Sequence, residues 1–152
     1  MIIFDIDGVL ADTRYREKKY LRGKKNSEIN WKAFFEDAIH DLPLPSGILV
    51  AKAMINYLPQ TEILFLTGRE ETVRATTLHW LSEQLQIDKS RIDLTMRETG
   101  NYIESIKFKE EVGREIGFKN IDLVFEDNPA IVEMWRKHNV VCYQTCDYIE
   151  KT

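Results

Sequence analysis

Asp5 and Asp7 stand two residues apart at the end of a short apolar run, IIFDI, and Gly8 follows them directly. On an extended strand that spacing points both carboxylates to the same side. A buried carboxylate is expensive unless it is paired or holds a metal, so the pair has to be compensated or has to do chemistry. Two other apolar runs also close in loaded residues: EILFLT leads into Thr67-Gly68-Arg69, and IDLVFE into Glu126-Asp127-Asn128. If these runs are neighbouring strands of one parallel sheet, the three clusters meet at its carboxyl edge, where such folds collect functional side chains. Asp5, Asp7 and Asp127 then form a hard oxygen set suited to Mg²⁺, which takes a few carboxylates, waters and a substrate phosphate. A lone strand-end aspartate is commonly no more than a helix cap. Three clusters on ordered strands carry more weight.

The elements that would position these residues can be read along the chain. Apolar runs at 2–6, 62–67, 91–96, 121–126 and 140–145 lack strict alternation, as expected for strands covered on both faces. Helical spacing separates them at 46–58, 71–85, 104–117 and 129–138, with Ser46 and Asn128 as candidate caps, Pro129 at a first helical position and Gly117 at an exit. The alternation predicts a three-layer, doubly wound α/β fold on a five-stranded parallel sheet, a single domain over residues 1–152. Residues 12–45 interrupt it as a small cap-like insert, with one helix expected over WKAFFEDAI, 31–39. On the helix from Glu104 to Gly117, Phe108, Val112 and Ile116 make the sheet-facing stripe. Lys109 lies beside that stripe and Lys107 nearly opposite it, so Lys109 is the lysine expected to reach inward.

Composition bounds the function. At 152 residues and 43% hydrophobic, the chain can build one ordinary core. No apolar run approaches the roughly 20 residues needed to cross a bilayer, and the early aspartates break any secretory-signal pattern, so a cytoplasmic protein without membrane partners is expected. Cys142 and Cys146 have no second Cys or His pair at zinc spacing and read as free thiols. The net charge is −4, yet residues 14–25, RYREKKYLRGKK, carry a local +6 and leave −10 on the remainder. One face can therefore attract phosphates while the whole stays acidic.

FDIDGVLAD, FLTGR, the lysine of FKEE and VFEDNP together resemble the four ordered signatures of the haloacid dehalogenase (HAD) phosphohydrolases. WKAFF, the DLPLP turn, VRATTLHWL, LTMR and VEMWRKHNVVCYQ extend the similarity to the 3′-phosphatase domain of bacteriophage polynucleotide kinase and its stand-alone relatives. The resemblance implies that Asp5 is the nucleophile, and that Asp7 protonates the leaving oxygen and then activates water. It further implies Mg²⁺ held by Asp5, the Asp7 backbone carbonyl and Asp127, with Thr67 and Lys109 on the phosphoryl oxygens. By the same resemblance, Gly68 and Arg69, and Arg16 or Arg14 after the first signature, are expected at substrate-binding positions. The sequence departs from the pattern at Val9, where many members have Thr, and at Glu126, where the phage domain has a second aspartate.

The insert is too short for a large cap, and an open site suits a polymer end. The +6 segment, with Tyr15 and Tyr20 interleaved, has the composition of a short groove for single strands. The expected activity is Mg²⁺-dependent removal of a 3′-phosphate from a single-stranded or nicked nucleic acid end, in end repair. A nucleotide phosphatase and a non-catalytic phosphate-end binder are the alternatives. No GxxxxGK[ST] loop is present in the chain, so no kinase activity is expected of it.

Overall fold

The computed structural model describes residues 1–145, so Cys146 lies outside the described residues. Five parallel strands form the central sheet: β1 (Ile2–Phe4), β4 (Ile63–Glu70), β5 (Asp93–Arg97), β6 (Leu123–Glu126) and β7 (Cys142–Gln144). Their order is β5-β4-β1-β6-β7. From β1 the chain first builds outward through β4 to β5, then crosses back to place β6 and β7 on the other side. β1 is therefore the switch point, and its carboxyl end is where a crevice opens in such sheets.

Helices α3 (Pro45–Tyr57), α4 (Arg74–Leu85), α5 (Ser105–Ile116) and α6 (Pro129–Lys137) supply the crossovers. Side chains alternate across the strands into two cores. Phe4 and Phe65 join Trp80 and Leu81 on one face, while Ile3, Leu64 and Val124 join Phe108, Val112 and Trp135 on the other. All three residues of β1 are buried, which explains why its sequence lacks a polar alternation.

Helix ends follow local chemistry. Asn128 accepts from the Ala130 amide at 3.0 Å, with Pro129 at the first helical position of α6. Gly117 leaves α5 at φ +82°, and its amide donates to the Gly113 carbonyl at 3.0 Å. Ser46 is not the cap of α3. That helix begins at Pro45, whose fixed φ suits a first position and moves Ser46 into the first turn.

The insert is more structured than one helix. It holds β2 (Ala11–Asp12), α1 (Arg14–Tyr20), α2 (Trp31–Glu36) with a 3₁₀ turn over Asp37–His40, and β3 (Leu42–Pro43), which pairs antiparallel with β2. The basic stretch thus begins as a helix. Its cations divide: Arg16 is fully buried, Lys19 pairs with Asp37 at 2.8 Å, and Lys18, Arg22, Lys24 and Lys25 are exposed. Among the described residues no helix is long and apolar enough to cross a membrane.

Candidate active site

β1 delivers Asp5 to the carboxyl edge, its amide still bonded to the Phe125 carbonyl of β6 at 3.0 Å. The chain then turns on Gly8, at φ +78°, where a Cβ would overlap the Asp127 carboxylate. The glycine after the aspartates therefore both makes the turn and lets Asp127 approach. β4 contributes Thr67, Gly68 and Arg69 at a break in its register with β5. Gly68 is closely packed too, since a Cβ there would meet Ser105 Oγ at 2.7 Å.

Lys109 reaches inward as its helical phase predicts. Only 3% of its side chain is exposed, against 64% for Lys107, which sits 3.6 Å from Glu104. The Lys109 Nζ donates to Glu126 Oε2 at 2.6 Å and lies 3.0 Å from Asp5 Oδ1. The other Glu126 oxygen accepts from the amides of Asp127 and Asn128 at 3.2 and 3.1 Å. Glu126 is thus engaged on both sides, holding the lysine and shaping the turn into α6. Asp5, Glu126 and Asp127 each place one carboxylate oxygen within 4.8 Å of the others. That set of hard oxygen donors fits a divalent cation of the Mg²⁺ type.

The electrostatics divide the two aspartates of the first signature. Burial, and then the Glu126 charge, push the Asp5 carboxyl well above its ordinary range against the pull of Lys109. Burial would raise Asp7 as well, but the Arg69 and Arg16 guanidiniums outweigh it and hold Asp7 at about 2. Arg16 Nη2 donates to Asp7 Oδ1 at 2.6 Å and Arg69 Nε donates to the same oxygen at 3.0 Å.

A residue outside the three strand-end clusters completes this network. Asp41, from the DLPLP turn, is buried and accepts from Arg16 Nε at 2.8 Å and from Arg69 Nη2 at 3.1 Å. Two acids and two arginines balance, and the Arg16 guanidinium also lies 4.4 Å from the Phe34 ring centre. The Asp41 backbone is fixed by Trp80, whose indole N–H donates to its carbonyl at 2.9 Å. Replacing Asp41 with Asn removes the charge that both arginines share. The expected outcome is a loss of about 1–3 kcal/mol in urea melts, and an unchanged midpoint would show that Asp7 alone suffices for the arginines.

Asp5, Asp7, Thr67, Gly68, Lys109 and Asp127 all line one cleft of about 560 Å³. Arg16 and Arg69 lie behind it, bonded to Asp7. Arg14 faces elsewhere: its guanidinium pairs with Asp12, and it borders two other surface depressions. Cys142 is a free, buried thiol pushed up to about 12, first by burial and then by Glu126.

Asp127 is raised to about 6, by burial and then by the Asp5 charge. A carboxyl whose pKa is higher in the fold favours the fold while protonated. Its contribution is present below its ordinary 3.8 and is lost as pH rises through about 6. A cation reverses the preference because it binds the ionised form. Mg²⁺ is therefore expected to raise the melting temperature at about pH 7.5, with an increment that shrinks through about pH 6 and is largely gone by about pH 5. A pH-independent increment would put the cation away from Asp127.

This fold and carboxylate site define a class, the HAD-superfamily phosphatases. A model of the family described as polynucleotide kinase PNKP phosphatase domain matches residues 1–148, and the chain belongs to that family. Among solved structures it is similar to a chain of a Pnkp1/Rnl/Hen1 complex, at 26% identity and TM-score 0.68 over 94% of this chain and 44% of that one. A chain of a Pnkp1/Rnl/Hen1 RNA repair complex matches at 24% identity and TM-score 0.65, over 94% and 41%. The HAD domain of the effector protein Lem4 from Legionella pneumophila shares the fold at 13% identity and TM-score 0.58, over 99% and 88%. This chain thus spans less than half the length of the repair-complex chains it matches. No curated sequence matches it.

Proposed function

We propose that this phosphatase is a Mg²⁺-dependent polynucleotide 3′-phosphatase working through an aspartyl phosphate on Asp5. The observation that carries this reading is the cleft itself: Asp5 lies with Lys109 and Asp127 in a crevice bordered by the short helices of the insert and by the loop between β5 and α5, with no large cap among the described residues, so a polymer end can enter. Membership of the polynucleotide kinase PNKP phosphatase-domain family and the likeness to a chain of a Pnkp1/Rnl/Hen1 complex support a nucleic acid substrate.

In the first step the Asp5 carboxylate attacks phosphorus, an acyl–phosphate bond forms, and the ester P–O bond to the sugar breaks. The departing oxygen takes a proton from Asp7. Water then gives its proton to Asp7 and attacks phosphorus, the bond to Asp5 breaks, and phosphate leaves. The ionised Asp7 held by Arg16 and Arg69 is the form needed to accept that proton. To protonate the leaving oxygen in the first step, Asp7 must enter the cycle carrying a proton taken from solvent, which requires the guanidiniums of Arg16 and Arg69 to loosen their hold on it. Lys109, held by Glu126, binds a phosphoryl oxygen and offsets the charge of Asp5, and Thr67 and Gly68 border the same seat. Asp5, the Asp7 carbonyl and Asp127 would hold a divalent cation, which would supply Lewis-acid stabilisation of the transferring phosphoryl group.

The test compares phosphate release from a 3′-phosphorylated oligonucleotide, its 5′-phosphorylated isomer and the matching 3′-mononucleotide, with Mg²⁺ or with chelator. Preference for the 3′-phosphorylated strand and loss of turnover on chelation are expected. Faster turnover of the mononucleotide would make the enzyme a nucleotidase instead.

A further inference from the structure

The cleft does not end at the phosphate seat. Its border also includes Trp31, from α2, and Tyr102, from the loop between β5 and α5. Tyr102 is 89% exposed and Trp31 38% exposed, so both rings present surface to whatever occupies the cleft. The Tyr102 ring, left this open, adds nothing to the core, and both rings line the same cleft as Asp5.

Both rings are carried on fixed supports. Trp31 stacks against Phe35 with ring centres 6.0 Å apart and meets Phe34 edge-on at 5.6 Å. The loop bearing Tyr102 is tied down on its other side, where Arg97 Nη1 donates to the Ile103 carbonyl at 3.0 Å and Asn101 Oδ1 accepts from the Ile103 amide at 3.0 Å. Arg97 itself borders the cleft, and its buried Nε has no hydrogen-bond partner among the described residues.

A monoester with its phosphorus at Asp5 cannot extend its alcohol inward, because Lys109, Glu126 and Thr67 are buried there. The alcohol must leave through the cleft mouth, past the two rings. We propose that Trp31 and Tyr102 form a stacking seat for the terminal nucleobase of a 3′-phosphorylated single strand, an inference that rests on the 3′-phosphatase reading. Every base has a π-face, so such a seat accepts any sequence. The preceding phosphates of the strand then run toward Asn26, which also borders the cleft, and the exposed Lys24 and Lys25 next to it. A monoester without a ring gains nothing from the seat.

The experiment compares two oligonucleotides that carry the same 3′-phosphate, one with a normal terminal nucleotide and one whose terminal sugar lacks its base. In the parent enzyme kcat/KM should favour the base-bearing end by about tenfold or more, since each stacked base contributes on the order of 5- to 150-fold. In Tyr102→Ala that ratio should fall toward one, and Tyr102→Phe should restore it. Trp31→Leu should lower the ratio and Trp31→Phe preserve it, with circular dichroism confirming that α2 still packs. A parent ratio near one, or a ratio that survives Tyr102→Ala, overturns the seat while leaving the 3′-phosphatase intact. Turnover of an aliphatic monoester such as glycerol phosphate, with neither oligonucleotide cleaved, overturns the 3′-end reading and the seat with it.

Discussion

Asp5→Asn is expected to abolish turnover, by on the order of 10⁴- to 10⁶-fold, while leaving a folded protein. An amide keeps the shape of the carboxyl but cannot form a bond to phosphorus. The fold should tolerate it for an electrostatic reason. Burial and Glu126 push the Asp5 carboxyl upward, so its ionised form is held against desolvation rather than favoured by it. Lys109 keeps its bond to Glu126 when the Asp5 charge is removed. Phosphate release under Mg²⁺, beside a thermal melt and circular dichroism, checks both halves. A folded Asp5→Asn variant retaining a few per cent of activity would exclude Asp5 as nucleophile.

Lys109→Ala should be nearly as damaging to catalysis and much more damaging to the fold. Loss of one preorganised donor commonly lowers kcat by ~10²–10³-fold. Here the lysine is also the one cation paired with the buried carboxylates of Asp5 and Glu126 among the described residues. Removing one partner of a buried ion pair leaves uncompensated charge and costs about 3–5 kcal/mol. Lys107→Ala, on the same helix but exposed, should change stability by no more than about 0.5 kcal/mol. Matched urea melts and kcat measurements on the two variants separate these outcomes. Equal, small effects would contradict the inward orientation of Lys109.

Much of this arrangement is legible in the sequence because its signals are local. The apolar runs announce the strands, and the order of the three strand-end clusters places Asp5, Thr67 and Asp127 together. The spacing of Phe108 and Val112 distinguishes Lys109 from Lys107, and in the structure both apolar residues are buried against the sheet. What the sequence conceals is long-range pairing. Asp41 lies in a turn whose neighbours say nothing of a charge network, and its partners Arg16 and Arg69 are 25 and 28 residues away. Arg16 and Arg14 are indistinguishable by composition, and only the packing of α1 against Phe34 buries one and leaves the other with Asp12. Glu126 shows in the sequence only as a departure from the paired aspartates of the phage domain, and its bonds to Lys109 and two amides appear only in the fold. The pairing of β2 with β3 is only two residues long, too short to give a periodic pattern.

The stereochemistry at phosphorus tests the double displacement at Asp5 most directly. A 3′-thiophosphate end made chiral with oxygen isotopes, hydrolysed in isotopically labelled water, reports how many in-line displacements occur, because each one inverts the phosphorus centre. Attack by Asp5 followed by attack of water gives two inversions and therefore net retention in the released thiophosphate, the expected result. Net inversion would mean that water attacks the ester directly, and would contradict the aspartyl-phosphate route.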